Sequence, residues 1–581
     1  MPRKHRTGLS RLWPYAAQRK GRLAVIGVLA ALSAAAPVAG WHLVRDAIDN
    51  GIEPGDDRHL AYAVLGYIAV NAAAWVLGTI TWRSLASLGQ RIVLELRRDL
   101  FEHLTSLSLR YFSQQKAGWI ISRLTSDVDA LSDVLNQGLT TLVVNTLTLV
   151  AAVAGLFLLD WRLGLVALCI LPPAILLTRW FQRVSHAAAS EVRTRIAIVT
   201  AQLAESVAGM AVIQAFNRER AFQNEFDGLN EDNRVANVHV QKIYSVFFPA
   251  IELLGAIATA AVIYAGAHFI GAGSMQIGTL VAAVGLLALV FQPLQELSEL
   301  YGQVQAASAA MDKISSVLDA EIDIADKPGA PALGRIDGRL ELDNVTFAYG
   351  DRPVLHEIAI DVPAGGCIAL VGETGGGKST TAKLIARFYD PDEGAVRVDG
   401  TDLRDIQLVG YRRQLGVVLQ DPFLFSGTIA DNIRFGKPDA SDEEVRATAA
   451  AVGVDRVAAR LEHGLDHVVR EGGAGLSAGE RQLISIARAL LADPRILILD
   501  EATSNIDRPT EIVIEKAFDT LLSGRTSIII AHRLATVRRA DEILVLDHGR
   551  IVQRGTEAEL RSQEGPFRRL AHQLVADSLP A

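Results

Sequence analysis

The chain has 581 residues, a formal net charge of −8 and two cysteines. That length holds at least two domains; the acidic balance argues against nucleic acid as the main partner, and two cysteines argue against a disulfide framework. Half of the residues are hydrophobic and mean hydropathy is +0.24, yet 21% are charged. An apolar membrane part joined to a charged soluble part accounts for both figures. Cys169 lies in an apolar run and Cys367 in a strand-like run, which places the soluble part in a reducing compartment.

The segment Met1–Arg22 carries Arg3, Lys4, Arg6, Arg11, Arg19, Lys20 and Arg22 and no acid. A signal or transit segment has similar charge. The full-length apolar run that follows favours a cytoplasmic flank instead. Crossing a bilayer takes roughly 20 apolar residues in a helix, and six runs qualify or nearly do: Leu23–Val44, Leu60–Trp82, Gly138–Leu159, Leu163–Phe181, Val246–Ile270 and Ile277–Leu297. The connections at Asp160–Arg162 and Gly271–Gln276 are short, and the one after the first run is acidic. The gaps Arg83–Gln137 and Gln182–Ser245 are long and arginine-rich. Excess Lys and Arg mark the cytoplasmic side, so the N-terminus, both long gaps and everything after the sixth run are expected there. Structureless loops of that length are uncommon, and Leu88–Leu107 and Ala187–Asn230 have helical apolar spacing. The membrane helices are therefore expected to continue into the cytoplasm and turn there.

Glu252, Asn71 and Asn145 are polar residues within the runs. An intramembrane acid suggests substrate contact, against a bland reading in which Glu252 faces water or snorkels. Pro172–Pro173, Pro249 and Pro293 are expected to kink or locally unwind helices. Asp323–Arg335 reads as a linker. Strand-like alternation begins at Leu340–Tyr349 and Val354–Val362, and short apolar runs then alternate with helical stretches, as in an α/β domain. The expected domains are 1–320 in the membrane with cytoplasmic helical extensions, a linker at 321–338, a soluble domain at 339–575 and a tail at 576–581.

Gly372-Glu373-Thr374-Gly375-Gly376-Gly377-Lys378-Ser379 fits the phosphate-loop pattern. Its glycines let backbone N–H groups curl around phosphate oxygens, and the helix starting near Lys378 adds its positive end. In this pattern Lys378 meets the β- and γ-phosphates and Ser379 ligates Mg²⁺. Ile496–Leu499 is a buried strand ending in Asp500 and Glu501. Asp500 is suited to the Mg²⁺ shell, and Glu501 to orienting or deprotonating the attacking water.

Leu476-Ser477-Ala478-Gly479-Glu480, followed by Arg481-Gln482, resembles the signature motif of ATP-binding-cassette (ABC) proteins. The chain as a whole resembles an exporter-type ABC half-transporter: an α-helical transmembrane domain of six helices plus one α/β P-loop ATP-binding cassette domain. That resemblance implies ATP and Mg²⁺ as cofactors and adds roles residue by residue. Tyr349 matches the aromatic stacked on adenine. Gln420 matches the glutamine that reaches Mg²⁺ and water. Thr380 continues the phosphate loop. Ser504–Asp507 matches the loop that crosses to the partner domain, and His532 the γ-phosphate histidine. Gly472 and Gly473 occupy the segment that meets the partner's cytoplasmic loops. Tyr111–Gly118 with Ser122–Asp129, and Val207–Glu219, resemble the two coupling regions. Ser477 and Gly479 are kept, whereas Ala478 and Glu480 replace glycine and glutamine of the family's Leu-Ser-Gly-Gly-Gln.

The resemblance implies ATP-driven outward movement of a lipophilic or amphiphilic substrate. Two alternatives stand beside it: exporter-fold uptake of the siderophore type, and an ATP-gated regulatory membrane protein. Because each ATP site needs a phosphate loop and a signature from opposite domains, a second half-transporter is implied. An intact Glu501 beside an altered signature leans towards a heterodimer over a homodimer. Arginine-rich, alanine-rich composition points to a GC-rich bacterial source and the inner membrane.

Overall fold

The computed structural model describes residues 8–500, 508–531 and 533–576. They form two compact units. The first comprises residues up to Ser106 together with Lys116–Ala320; the second comprises Leu107–Gln115 together with the residues from Glu321 onward.

In the first unit six helical spans are long and apolar enough to cross a membrane: Lys20–Ile52, Asp57–Ser106, Ala117–Leu159, Trp161–Ala208, Glu219–Gly271 and Ile277–Leu318. A helix of 50 residues is about 75 Å long, far more than the roughly 30 Å of bilayer hydrocarbon. The second span has that length, so its end extends well beyond the apolar layer, as the helical spacing requires. The segment between the fourth and fifth spans also turns through a short helix, Met210–Ala215. Small residues bring the spans together: Ala152, Ala258, Ala282 and Ala283 are fully buried in one cluster with Leu156, Val262 and Leu286. A second cluster stacks Phe181 on Phe247 at 3.9 Å.

The prolines behave in two ways. Pro172 and Pro173 open the helix Leu171–Ala208, after the separate helix Trp161–Leu168, where missing amide donors cost little. Pro249 and Pro293 lie inside continuous helices, so the expected local unwinding is absent there. The basic N-terminal flank is anchored on the helical extensions: Arg11 pairs with Asp319, Arg19 with Glu95, and Arg22 donates to Ser87.

Of the polar residues noted within the runs, Asn71 donates back to Tyr67 O on its own helix, 2.8 Å, and Glu252 is exposed. Asn145 Nδ2 donates to Glu296 Oε2 at 2.7 Å, and Gln292 Nε2 donates to Glu296 Oε1 at 3.1 Å. Glu296 is thus an intramembrane acid with two amide donors, although nothing in its own neighbourhood of sequence names Asn145 as partner.

The segment Leu107–Gln115 differs from the expected domain boundary. It packs with the second unit: Ser108 Oγ donates to Asp323 Oδ2 at 3.1 Å, and the Arg110 guanidinium lies 5.9 Å from the Tyr389 ring centre. Ser113 and Tyr389 hydroxyls are 3.5 Å apart.

The second unit holds twelve strands among its described residues. They are β1 (Leu340–Tyr349), β2 (Arg352–Val362), β3 (Cys367–Val371), β4 (Glu393–Val398), β5 (Thr401–Asp402), β6 (Leu415–Val418), β7 (Gly427–Thr428), β8 (Val468–Val469), β9 (Ile496–Asp500), β10 (Thr526–Ile530), β11 (Glu542–Asp547) and β12 (Arg550–Gly555). An antiparallel sheet runs β2-β1-β4-β5; a mainly parallel sheet runs β12-β11-β3-β10-β9-β6. β3, β9 and β10 are buried along nearly their whole length, which explains why Ile, Leu, Val and Ala dominate them without polar alternation. Strand order reverses around β3, and the loop after β3 is therefore at a switch point of the sheet, where ligands bind in open α/β folds.

Candidate nucleotide site

The phosphate loop leaves the C-terminal end of β3 and enters the helix Lys378–Ile385. Backbone geometry dictates its glycines. Gly372 has φ +149°, and a Cβ there would sit 2.1 Å from the carbonyl oxygen of Leu546 on β11. Gly377 has φ +103°, and its Cβ would sit 2.5 Å from Leu355. At Gly372 a side chain would require backbone movement; at Gly377 it would strain the left-handed backbone and push the Leu355 side chain aside.

Lys378 is buried. Its Nζ donates to Gly372 O at 2.7 Å and Glu373 O at 2.9 Å. Burial holds its pKa below the ordinary lysine value, and the charge of Asp500 pulls the other way. Asp500 ends β9 and lies in register with Ile530 of β10.

A cavity of about 770 Å³ opens over the loop. Thr374, Gly375, Gly377, Lys378, Ser379 and Thr380 line it, as do Tyr349 and Gln420. Gly372, Glu373 and Gly376 of the loop are not among its lining residues; the Gly376 N–H donates to Glu373 O at 3.0 Å. Tyr349 is held edge-on by Phe347 and Tyr389, with ring centres 4.9 and 5.2 Å away, and its hydroxyl is 3.5 Å from Thr380 Oγ1. A half-buried aromatic beside a phosphate cradle presents a flat apolar face for a base.

Arg352, His356 and His548 also line the cavity, and the sequence reading missed them. Arg352 starts β2 just across the turn from Tyr349, a proximity that spacing could have suggested. His548 lies in the β11–β12 turn, far along the chain; only the sheet order brings it here. Glu501, Ser504–Asp507 and His532 lie outside the described residues.

Ser477 and Gly479 are not among the residues lining this cavity. Ser477 is the N-cap of the helix Ala478–Leu491. Its neighbour segment Glu471–Gly473 is a short 3₁₀ turn in which Gly472 and Gly473 have φ +68° and +79°. In the first unit, Arg123 and Asp127 form a buried pair at 2.5 Å, Trp119 lies 4.2 Å from the Arg123 guanidinium, and Lys313 reaches Asp127 at 3.4 Å. These contacts give the Ser122–Asp129 segment a packing role in its own unit.

A phosphate loop at the sheet switch point, with an aromatic wall and an acid-ended strand nearby, defines an ATP-binding domain joined to a six-span membrane domain. Two family models match accordingly: "ABC transporter transmembrane region" over residues 23–294 and "ABC transporter" over residues 355–504. The chain is 39% identical over 509 residues to the uncharacterized ABC transporter ATP-binding protein YknV of Bacillus subtilis, covering 87% of this chain and 84% of that one. It is 34% identical over 564 residues to the ATP-dependent lipid A-core flippase of Syntrophus aciditrophicus, covering 97% and 94%. A solved bacterial Atm1-family ABC exporter with ATP bound matches with TM-score 0.81 and 28% identity, over 97% of this chain and 99% of that chain. The chain belongs to the ABC transporter family. It is a multi-pass membrane protein of exporter architecture that binds ATP and couples ATP hydrolysis to transport. As a half-transporter it works as a dimer.

Proposed function

We propose that the chain exports an amphiphilic, drug-like or lipid-like substrate across the bacterial inner membrane, with its ATP-binding domain and N-terminus cytoplasmic. The observation that carries this reading is a second cavity, of about 510 Å³, among the helical spans. Aromatic Phe181, Tyr244 and Tyr301 line it beside Gln182, His186, Arg193 and Lys313. Such a wall suits a molecule with an apolar body and a polar head. The name of the lipid A-core flippase, similar along nearly the whole chain, supports the same substrate class.

In the ATP site, Lys378 and the loop N–H groups hold the phosphates and Tyr349 stacks on the base. Ser379, Gln420 and Asp500 supply hard oxygen donors of the kind Mg²⁺ takes. Bound there, Mg²⁺ would neutralise charge on the phosphate oxygens. Glu501 orients the attacking water, and His532 steadies the γ-phosphate. The phosphate loop and signature of one chain act on different ATP molecules, so Ser477 and Gly479 cap the nucleotide held by the partner subunit. Catalysis is then positioning and charge stabilisation, completed only when two chains close.

The test is ATP turnover by the full chain in lipid nanodiscs. Turnover sensitive to vanadate and lost in Glu501→Gln, with ATP binding kept, supports the reading. Equal turnover by Glu501→Gln contradicts it.

A further inference from the structure

Glu480 departs from the family's glutamine, and its carboxylate has two distinct partners. Ser477 Oγ accepts from Glu480 N at 3.3 Å, while Glu480 Oε2 accepts from Ser477 N at 2.9 Å. This is a capping box, which glutamine closes as well as glutamate. The box therefore does not explain the acid. It does leave the one Ser477 hydroxyl proton unused by Glu480, because the hydroxyl acts there as acceptor.

The other carboxylate oxygen, Oε1, accepts from Arg460 Nη2 at 2.9 Å. Arg460 follows the helix Val454–Ala458, and its own N–H donates to Val457 O at 3.1 Å. Its side chain is 68% exposed and that of Glu480 20%. A pair so exposed contributes only about 0–1 kcal/mol to folding. Its effect on charge at the helix N-terminus is a separate matter. An N-terminus favours anions through its free N–H groups and dipole, and a bare carboxylate in the same turn as Ser477 opposes a triphosphate.

We propose that Arg460 neutralises Glu480 and thereby keeps this chain's signature able to cap ATP held by the partner subunit. Arg460 is a positioning residue that acts through Glu480 without touching nucleotide. The proposal rests on the dimeric ATP site described above. It has a consequence for assembly. Glu480 beside Arg460 is no mark of a degenerate site, and a homodimer with two working sites then needs no second kind of chain.

The experiment measures ATP turnover by the full chain in nanodiscs against ATP and salt concentration. Arg460→Ala is expected to raise KM for ATP about tenfold at low salt, equivalent to ~1.4 kcal/mol. The penalty should shrink at about 1 M salt, where the screening length falls to about 3 Å. Arg460→Lys should stay within about twofold of wild type, since it keeps the charge. In the Glu480→Gln background, Arg460→Ala should change KM by less than about twofold, because there is no charge to balance. A silent Arg460→Ala, or one as harmful in the Glu480→Gln background as alone, overturns the proposal. Wild-type turnover is the control for the underlying reading: its absence overturns that reading and the proposal with it.

Discussion

Replacing Gly372 by alanine should damage the ATP site far more than replacing Gly375. Both positions have positive φ, +149° and +89°, so both substitutions carry a backbone cost of about 1–2 kcal/mol. They differ in their surroundings. A Cβ at Gly375 meets nothing within 4 Å, whereas one at Gly372 lies 2.1 Å from the Leu546 carbonyl oxygen. That oxygen belongs to β11, which pairs in parallel with β3 through Leu544 opposite Leu370 and Val545 opposite Val371. It cannot swing aside like a side chain; the strand or the loop must move. Overpacking of this kind costs a further 1–3 kcal/mol or so. Gly372→Ala should therefore weaken ATP binding about 5- to 150-fold more than Gly375→Ala, by the usual 1.4 kcal/mol per decade. Fluorescent ATP titration of the full chain in detergent, with thermal unfolding of each variant, measures this. Equal losses in the two variants would refute the steric reasoning.

Other expectations follow from single contacts. The lowered pKa of Lys378 means that its proton leaves the folded chain before the unfolded one. As pH rises through that lowered value towards 10.5, the cation facing phosphate is lost and KM for ATP should climb. Over the same window the nucleotide-free fold should gain stability, because the unfolded state binds more protons; a flat KM up to pH 10.5 contradicts this. Burial, with the charge of Asp541 adding to it, pushes the Cys367 thiol up to about 12. Maleimide at neutral pH should then leave Cys367 unlabelled until the chain is denatured; mass spectrometry of the labelled chain decides. Asn145→Leu should cost about 0.5–1.5 kcal/mol by removing its bond to Glu296, read as a lower thermal transition in detergent. The same change should cost less when Glu296→Gln has removed the charge.

Much of this architecture is written locally. The phosphate loop is contiguous and sits in one strand–loop–helix unit, so its pattern is legible, although the atoms that crowd Gly372 and Gly377 belong to Leu546 and Leu355 on other strands. The six spans are legible because hydrocarbon imposes its length on each separately. What sequence spacing misses comes from packing between distant segments. Glu296 stood in plain view within the sixth run, but Asn145 as its partner depends on how two spans meet. His548 reaches the ATP cavity only through the order β11-β3. Leu107–Gln115 joins the second unit because Asp323 and Tyr389 hold it, and neither is near it in the chain. The charge of Glu480 looked like a defect until Arg460, twenty residues earlier, proved to be its partner.

The central claim is that ATP hydrolysis by this chain moves an amphiphile outward. Inside-out vesicles containing the chain, supplied with ATP and a fluorescent amphiphile, test it most directly. ATP-dependent accumulation that Glu501→Gln abolishes is the predicted result. ATP-dependent loss of preloaded probe from those vesicles, or accumulation that persists in Glu501→Gln, would contradict it.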